Sequence, residues 1–305
     1  MAVYSSSMFQ ILATIFAGLL GLAFGSFLNV CLSRWPEGES IVQPRSHCGQ
    51  CGRTLTWWEN IPLASWLALG GRCRTCRARI GWRHPLVELA VAALWAASAW
   101  QGLGALPETE FTANSIYVPL FFIVGKMILL WLLVALAVLD FEHLWLPNRL
   151  TLPGTAAGFL FVLLSAILQS LVPGQSEALS TLRAAGWAAL YNLLGILAAA
   201  GLILLIRWIY WLVRRREGIG LGDAKLMALL AAWLGLPGAL LAFGMGTTLG
   251  AVFALTLLAT PSSKHDLRAW AAQKLPLGSF LCVGGVISSL WDQPMIAAYL
   301  RWGGF

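Results

Sequence analysis

Two aspartates stand at the ends of apolar runs, where a carboxylate is costly. Asp140 directly follows the run 118–139, and Asp223 precedes the run 224–236 in Gly218-Ile-Gly-Leu-Gly-Asp223-Ala-Lys225. A carboxylate at membrane depth usually marks a functional site with a partner. Two carboxylates that face each other at low dielectric share one proton, and this arrangement activates a water for peptide hydrolysis. We predict that Asp140 and Asp223 form such a catalytic pair, although singly Asp223 also fits a helix cap and Asp140 an interfacial salt bridge.

Four of the six cysteines predict a metal site. They form two Cys-x-x-Cys pairs separated by 21 residues, namely Cys48, Cys51, Cys73 and Cys76. Such pairs let four thiolates bind one tetrahedral Zn²⁺ with no open position, so the metal would fold the loop and would not be catalytic. Thiol redox chemistry is the alternative. The neighbouring His47 and His84 are not needed as ligands, and Cys31 and Cys282 lie in apolar runs, where core packing is expected.

Further ionisable residues lie in or beside the apolar runs: Glu88, Lys126, Glu142 and His143. Glu88 begins a run near the cysteine loop and would either pair with an arginine of that loop or contact a substrate. Glu142 and His143 follow Asp140, but a helical turn holds 3.6 residues, so neither projects from the same face. Lys126 would snorkel out of its apolar run or serve a site. Their roles stay open at this point.

The composition is that of a membrane protein. Hydrophobic residues make up 59% of the 305 residues and charged residues 11%, against about a quarter in soluble domains. Runs long enough for membrane helices cover about 8–33, 86–105, 118–139, 150–172, 184–212, 224–236, 238–259 and 276–291. The fold class predicted is an all-α polytopic protein of about eight transmembrane helices, with a small zinc-loop domain between the first two. Its parts would be a first helix at 1–33, the cysteine loop at 34–84 and a membrane peptidase domain at 85–305.

The positive charge predicts an orientation. With the N-terminus outside, 17 of the 20 Lys and Arg residues fall on the cytoplasmic side, eight of them as arginines within 34–84. Both aspartates then lie at cytoplasmic helix ends. The net charge of +7 is explained by topology and by anionic lipid of the bilayer, so nucleic acid is not expected as a partner.

Several ordered motifs resemble those of the type IV prepilin peptidases, the bifunctional leader peptidase and N-methyltransferase family. They span most of the chain: 21–36, 44–48, 55–62, both cysteine pairs, 84–88, Asp140 with Pro147 and Asn148, 220–226 and 275–280. Three positions depart from the family pattern. The first cysteine pair lacks a proline after Cys48, Asn148 stands where aspartate is common, and Ser279 stands where proline is common.

The resemblance implies an enzyme of the bacterial inner membrane. It would cut the basic leader from prepilins or pseudopilins at the cytoplasmic face and then methylate the new N-terminal amine with S-adenosyl-L-methionine. The sequence contains no glycine-rich nucleotide-binding fingerprint, so the methyl donor is implied by resemblance alone. Two alternatives are a peptidase without methylation and a zinc-loop scaffold of a secretion or pilus machine. A presenilin-type protease is disfavoured because Leu139, and not tyrosine, precedes Asp140.

Overall fold

The computed structural model describes residues 2–104, 117–170, 178–215, 220–259 and 275–302. Within these ranges the chain is helical without a β-strand, which confirms the all-α prediction. The helices are α1 (Ala2–Arg34), α2 (Ala64–Ala68), α3 (Arg83–Gly104), α4 (Tyr117–His143), α5 (Asn148–Ser170), α6 (Ala178–Arg214), α7 (Leu221–Ala259) and α8 (Leu277–Trp302), with a 3-10 turn at Trp58–Asn60. The chain divides into two compact units, Met1–Ala135 and Leu136–Phe305.

Among the described residues, six helices are long and apolar enough to cross a membrane. They are Ser7–Arg34, Arg83–Gly104, Tyr117–His143, Asn148–Gln169, Arg183–Arg214 and Leu221–Leu257, and a shorter apolar helix follows at Leu277–Trp291. The predicted sixth and seventh spans are the two halves of α7. They are separated at Gly235, whose φ of 70° is not helical, two residues before Pro237. Glycine accepts this backbone conformation without strain.

The first unit depends on close packing between α1 and α3. A Cβ at Gly21 would lie 2.6 Å from the Cα of Ala92, and one at Gly25 would lie 2.7 Å from the Cα of Glu88. Small residues four positions apart lie on the same face of a helix and let two membrane helices approach to backbone contact. The Trp95 indole N–H donates to the carbonyl of Met127 at 3.0 Å, which ties α3 to α4.

The second unit packs α7 against α5, α6 and α8. A Cβ at Gly246 of α7 would lie 2.8 Å from the Cα of Leu281 in α8, and one at Gly284 of α8 would lie even closer to the carbonyl oxygen of Ala242. The side-chain N–H groups of Asn192 and Trp233 donate to backbone carbonyls of α7 and α5, at 3.1 and 2.8 Å. These bonds satisfy buried polar groups where no water is available.

Some predicted features lie outside the described residues. They are Arg216 and Gly218 before the second aspartate motif, the basic segment with Lys264, Arg268 and Lys274, and the ends of the second and fourth predicted spans.

Candidate functional site

Asp140 lies near the end of α4 and is 6% exposed. Its Oδ2 accepts a hydrogen bond from the backbone N–H of Ser279 at 2.7 Å. The Ser279 hydroxyl lies 3.1 Å from the same oxygen and 2.9 Å from the carbonyl oxygen of Ala137, so its single proton is shared between two acceptors. The first turn of α8 therefore holds the Asp140 carboxylate.

Asp223 lies in the first turn of α7 and is 8% exposed. Its Oδ2 accepts the backbone N–H of Gly220 at 3.2 Å, which is a cap of its own helix. Capping is not its only contact, because the carboxylate also interacts electrostatically with Asp140. Both carboxylates also interact electrostatically with the buried thiol of Cys282. The fold thus brings the two predicted aspartates, 83 positions apart in the sequence, into one buried site.

Leu146, in the connection between α4 and α5, packs between two glycines at this site. A Cβ at Gly222 would lie 3.1 Å from the Leu146 side chain, and a Cβ at Gly278 would lie 3.0 Å from it and 2.9 Å from the Asp140 carboxyl. Glycine at both positions therefore lets the starts of α7 and α8 close around Leu146. This contact sets the spacing of the segments that carry the aspartates.

The four predicted cysteines also come together, within the first unit. Their sulfurs all lie within 4.8 Å of one another, and Cys48 Sγ is 3.7 Å from Cys76 Sγ. In a zinc site with four sulfurs at 2.3 Å from the metal, neighbouring sulfurs are about 3.8 Å apart. The cluster therefore has the size needed to hold a tetrahedral metal ion.

The two cysteine pairs share one backbone geometry. The fourth residue after each first cysteine has positive φ, 69° at Gly52 and 59° at Arg77, and its N–H donates to the carbonyl of that cysteine. Isolated β-bridges enclose each turn, His47 with Thr54 and Arg72 with Arg79. Each tight turn directs both of its thiols to the same side, where they meet the other pair.

Backbone hydrogen bonds prepare two of these thiols for a cation. The N–H groups of Cys76 and Thr75 lower the pKa of Cys73 to about 6, and those of Cys51 and Gln50 lower the pKa of Cys48. At Cys76 the Ala78 N–H acts in the same direction, but desolvation and the neighbouring sulfurs outweigh it and raise the pKa to about 11. Four sulfurs this close cannot all ionise unless a cation balances their charge.

Comparison with known proteins gives these two sites a family. The sequence matches the N-terminal domain of bacterial A24 peptidases over residues 19–102 and the type IV leader peptidase family over residues 127–255. A prepilin leader peptidase/N-methyltransferase of Pseudomonas aeruginosa is 32% identical over 311 residues, which cover 94% of this chain and 93% of that protein. The chain belongs to the type IV leader peptidase family.

Other relatives of the same name support this membership. The relative from Stutzerimonas stutzeri is 31% identical, in a match that covers 93% of this chain and 92% of that relative. The relative from Myxococcus xanthus is 38% identical, in a match that covers 82% of this chain and 64% of that relative. No solved structure matches the chain. Together with its apolar helices, membership of the leader peptidase family makes this a multi-pass protein of the inner membrane.

The other ionisable residues have polar partners of their own. Glu142 and His143 are exposed at the end of α4, with 3.9 Å between Glu142 Oε2 and His143 Nε2. Lys126 lies 3.4 Å from the Gln101 amide oxygen, in the first unit. Lys225 donates to Asn148 Oδ1 at 2.6 Å, so Asn148 is a polar partner at a position where the family commonly has aspartate.

Two contributors to the aspartate site were not found from the sequence, namely Leu146 and the donor role of Ser279. Proline, which is common at position 279 in the family, has no N–H to donate. A proline at this position could therefore not make the N–H bond that Ser279 makes to Asp140. The departure from the family motif was the one available signal, but it did not indicate which group Ser279 would contact.

Replacement of Gly278 by alanine tests how tightly the site holds Asp140. The added Cβ would lie 2.9 Å from the Asp140 carboxyl, so the carboxylate or the start of α8 must move. Asp140 is the predicted catalytic group, and small displacements of such a group are costly, so we expect kcat for leader cleavage to fall about a hundredfold. Gly244→Ala, on α7 with nothing within 4 Å of the new Cβ, is the matched control. Equal rates for the two variants would contradict the assigned geometry.

Proposed function

We propose that this protein removes the leader peptide from prepilins and pseudopilins, using Asp140 and Asp223 as its catalytic pair, and then N-methylates the new N-terminal residue. Leader cleavage and N-methylation are the activities that its family is named for. The observation that supports the catalytic pair is the meeting of two buried carboxylates within the two aspartate motifs of that family.

The pair would act on one water molecule. One carboxylate takes a proton from the water while the other, which is protonated, donates a hydrogen bond to the scissile carbonyl. The hydroxyl adds to the carbonyl carbon, the C–N bond breaks, and the leaving nitrogen receives the proton. Because two coupled acids titrate as a pair, the roles are assigned to the pair and not to either residue.

The surrounding chain would position both reactants. Ser279 and Gly220 each hold one carboxylate oxygen through a backbone N–H, which limits rotation of the acids. Gly220 is exposed and carries no side chain, so an extended substrate backbone can approach closely beside Asp223. Substrate would enter at the cytoplasmic face, because the distribution of Lys and Arg predicts that both aspartates lie at cytoplasmic helix ends.

The cysteine cluster would hold a structural Zn²⁺. The fit is supported by the spacing of the four sulfurs and by the backbone N–H groups aimed at Cys48 and Cys73. With four thiolate ligands no coordination position is left for a substrate or water. The metal would therefore stabilise the loop and take no part in hydrolysis.

The methyl donor would be S-adenosylmethionine, whose sulfonium group supplies an electrophilic methyl. The chain's task is to hold the donor beside the new N-terminal amine and to leave that amine unprotonated. The methyl group would pass to the amine nitrogen as the C–S bond of the sulfonium breaks, and the nitrogen would lose a proton.

The test is a two-step assay with full-length protein in detergent. A purified prepilin that retains its leader is mixed with enzyme, with and without S-adenosylmethionine, and its mass is followed. We expect loss of the leader in both reactions and the added mass of one methyl group only with the donor. Cleavage without methylation would show that the protein is a peptidase without methyltransferase activity. No cleavage would favour the alternative of a scaffold protein.

A further inference from the structure

A cavity of about 400 Å³ lies within the first unit, beside the cysteine cluster. It is bounded by the end of α1, the cysteine loop, α2 and the start of α3, and two metal-binding candidates, Cys48 and Cys73, form part of its wall. This volume suits a small molecule of nucleoside size. Neither Asp140 nor Asp223 lines this cavity, so the proposed hydrolysis does not account for it.

The acidic residues of this part of the chain are gathered at the cavity. Segment 1–104 contains four carboxylates, and all four line it: Glu37, Glu39, Glu59 and Glu88. Of the eight arginines between positions 34 and 84, only Arg34 and Arg74 do so. In a segment with twice as many basic as acidic residues, this sorting makes the cavity a place for a ligand that carries positive charge.

The two arginines of the wall are already engaged. Arg34 donates to the carbonyls of Ser40 and Pro44, and the Arg74 guanidinium stacks over Trp58 at 5.0 Å from the ring centroid. Glu59 is engaged too, because it pairs with Arg53 at 2.5 Å and accepts the N–H of Thr56. Glu88 has no cationic partner among the described residues, and Glu37 and Glu39 are exposed at the cavity's rim.

Two deeply buried side chains supply hydrogen-bond acceptors. Glu88 is 7% exposed, and its Oε2 accepts the N–H of Leu63 at 2.7 Å. Asn29 is 4% exposed, and its amide nitrogen donates to the carbonyl of His84 at 2.9 Å, which fixes the orientation of the amide. The opposite atom, Asn29 Oδ1, is buried without a hydrogen-bond partner in the part of the chain that the structure describes. Such an oxygen normally has a donor, and a ligand can provide it.

A rigid aromatic wall faces the same space. The Trp66 indole N–H donates to the carbonyl of Ile80 at 3.3 Å, and its ring packs on Trp82 with 4.4 Å between centroids. Gly71 approaches the ring so closely that a Cβ there would lie 2.8 Å from it. Together with Ile61 and Leu69, Trp66 gives the cavity an apolar side suited to a planar heteroaromatic ring.

We propose that this cavity binds the S-adenosylmethionine that the proposed N-methylation requires, an inference that rests on the methyltransferase part of the proposed function. The donor carries a sulfonium and an ammonium, which suit Glu88 and the carboxylates at the rim. It also carries a purine ring, which suits the apolar wall. Asn29 Oδ1 then accepts a hydrogen bond from the donor. The metal-binding loop closes one side of the pocket, and this gives the cysteine cluster a place in methylation.

A basic leader peptide is the other source of positive charge in this reaction. It is disfavoured as the occupant because an extended chain needs a continuous groove, whereas the buried acceptors Asn29 and Glu88 lie at the bottom of a cavity of nucleoside size. The experiment therefore measures both ligands.

The test is calorimetric titration of full-length, zinc-loaded protein in detergent with S-adenosylmethionine, without prepilin. Glu88→Gln keeps the acceptor for Leu63 but removes the charge, and we expect the Kd to rise about tenfold. Ser65→Phe fills the cavity from α2 and should weaken binding at least as much. Glu142→Gln makes the same change at another glutamate, and Ala64→Phe adds the same ring at the neighbouring position. Neither residue lines the cavity, so both control variants should bind as wild type does.

The outcomes separate this proposal from the function on which it rests. Wild-type affinity in both Glu88→Gln and Ser65→Phe, in protein that methylates prepilin, would place the donor elsewhere and leave the proposed function intact. A wild-type protein that cuts prepilin but binds no S-adenosylmethionine would overturn both methylation and this site. If Glu88→Gln and Ser65→Phe bind a leader peptide more weakly than wild type does but bind S-adenosylmethionine equally well, the cavity belongs to the substrate and the proposal is overturned.

Discussion

Asp140→Asn and Asp223→Asn should each lower the rate of leader cleavage by about 10²- to 10⁴-fold, the usual contribution of general acid–base catalysis. Asparagine has nearly the size of aspartate and retains an oxygen for the N–H groups of Ser279 and Gly220. It cannot take or give the catalytic proton. In the proposed mechanism the two acids act on one water as a unit, so the double variant should be no slower than the slower single variant. Initial rates with a purified prepilin measure all three.

Glu142→Gln is the matched control for these variants. It removes a carboxylate only two positions from Asp140 on the same helix, but from an exposed position outside the aspartate pair. We expect it to cut prepilin at close to the wild-type rate. If either Asp→Asn variant folds and cuts as fast as Glu142→Gln, that aspartate caps or anchors its helix and the proposed mechanism is wrong.

The sequence could predict those parts of the site in which the residue type and its immediate neighbours are unusual enough to be informative. A carboxylate beside an apolar run is costly, so Asp140 and Asp223 could each be singled out, but either one alone also fitted a structural role, and only the pair predicted a shared site. A Cys-x-x-Cys turn places two thiols together by local geometry, so the cysteine cluster could be predicted from two short segments. The membrane helices follow from hydropathy, although the sixth and seventh predicted spans are halves of the interrupted helix α7.

The parts that could not be predicted depend on contacts between distant segments. Ser279 donates to Asp140 through its backbone, a group that every residue except proline carries, across 139 positions of sequence. Leu146 resembles any other leucine until Gly222 and Gly278 close around it. The cavity near Glu88 could not be predicted for the same reason, because its four glutamates are scattered in the sequence and come together only in the fold. Close packing of helices, and not local pattern, decides each of these contacts.

Loss of one cysteine of the cluster should unfold the loop. Cys73→Ala removes a ligand from a site in which the metal's binding energy is also folding energy, so we expect zinc content to fall from about one ion per chain to a small fraction of that. The loop carries Arg53, Arg72, Arg74, Arg77 and Arg79, which trypsin cuts once the backbone is mobile. Trypsin should therefore cut within residues 53–79 at least about tenfold faster than in wild type, since structural zinc contributes more than one power of ten to folding. Mass spectrometry of the peptides locates the cuts.

Cys31→Ala separates loss of the metal from loss of a buried thiol. Cys31 and Cys73 are both buried in the first unit, at 0% and 5% exposure, but only Cys73 belongs to the four-sulfur cluster. Cys31→Ala should keep its zinc and its resistance to trypsin. If Cys73→Ala also keeps both, the loop folds through bonds such as that between Arg53 and Glu59, and the cluster is not a structural metal site. If zinc is lost while the loop stays resistant, the metal binds without folding the loop. The cavity wall would then persist without it, and the donor's Kd in zinc-free protein would equal that of the loaded form.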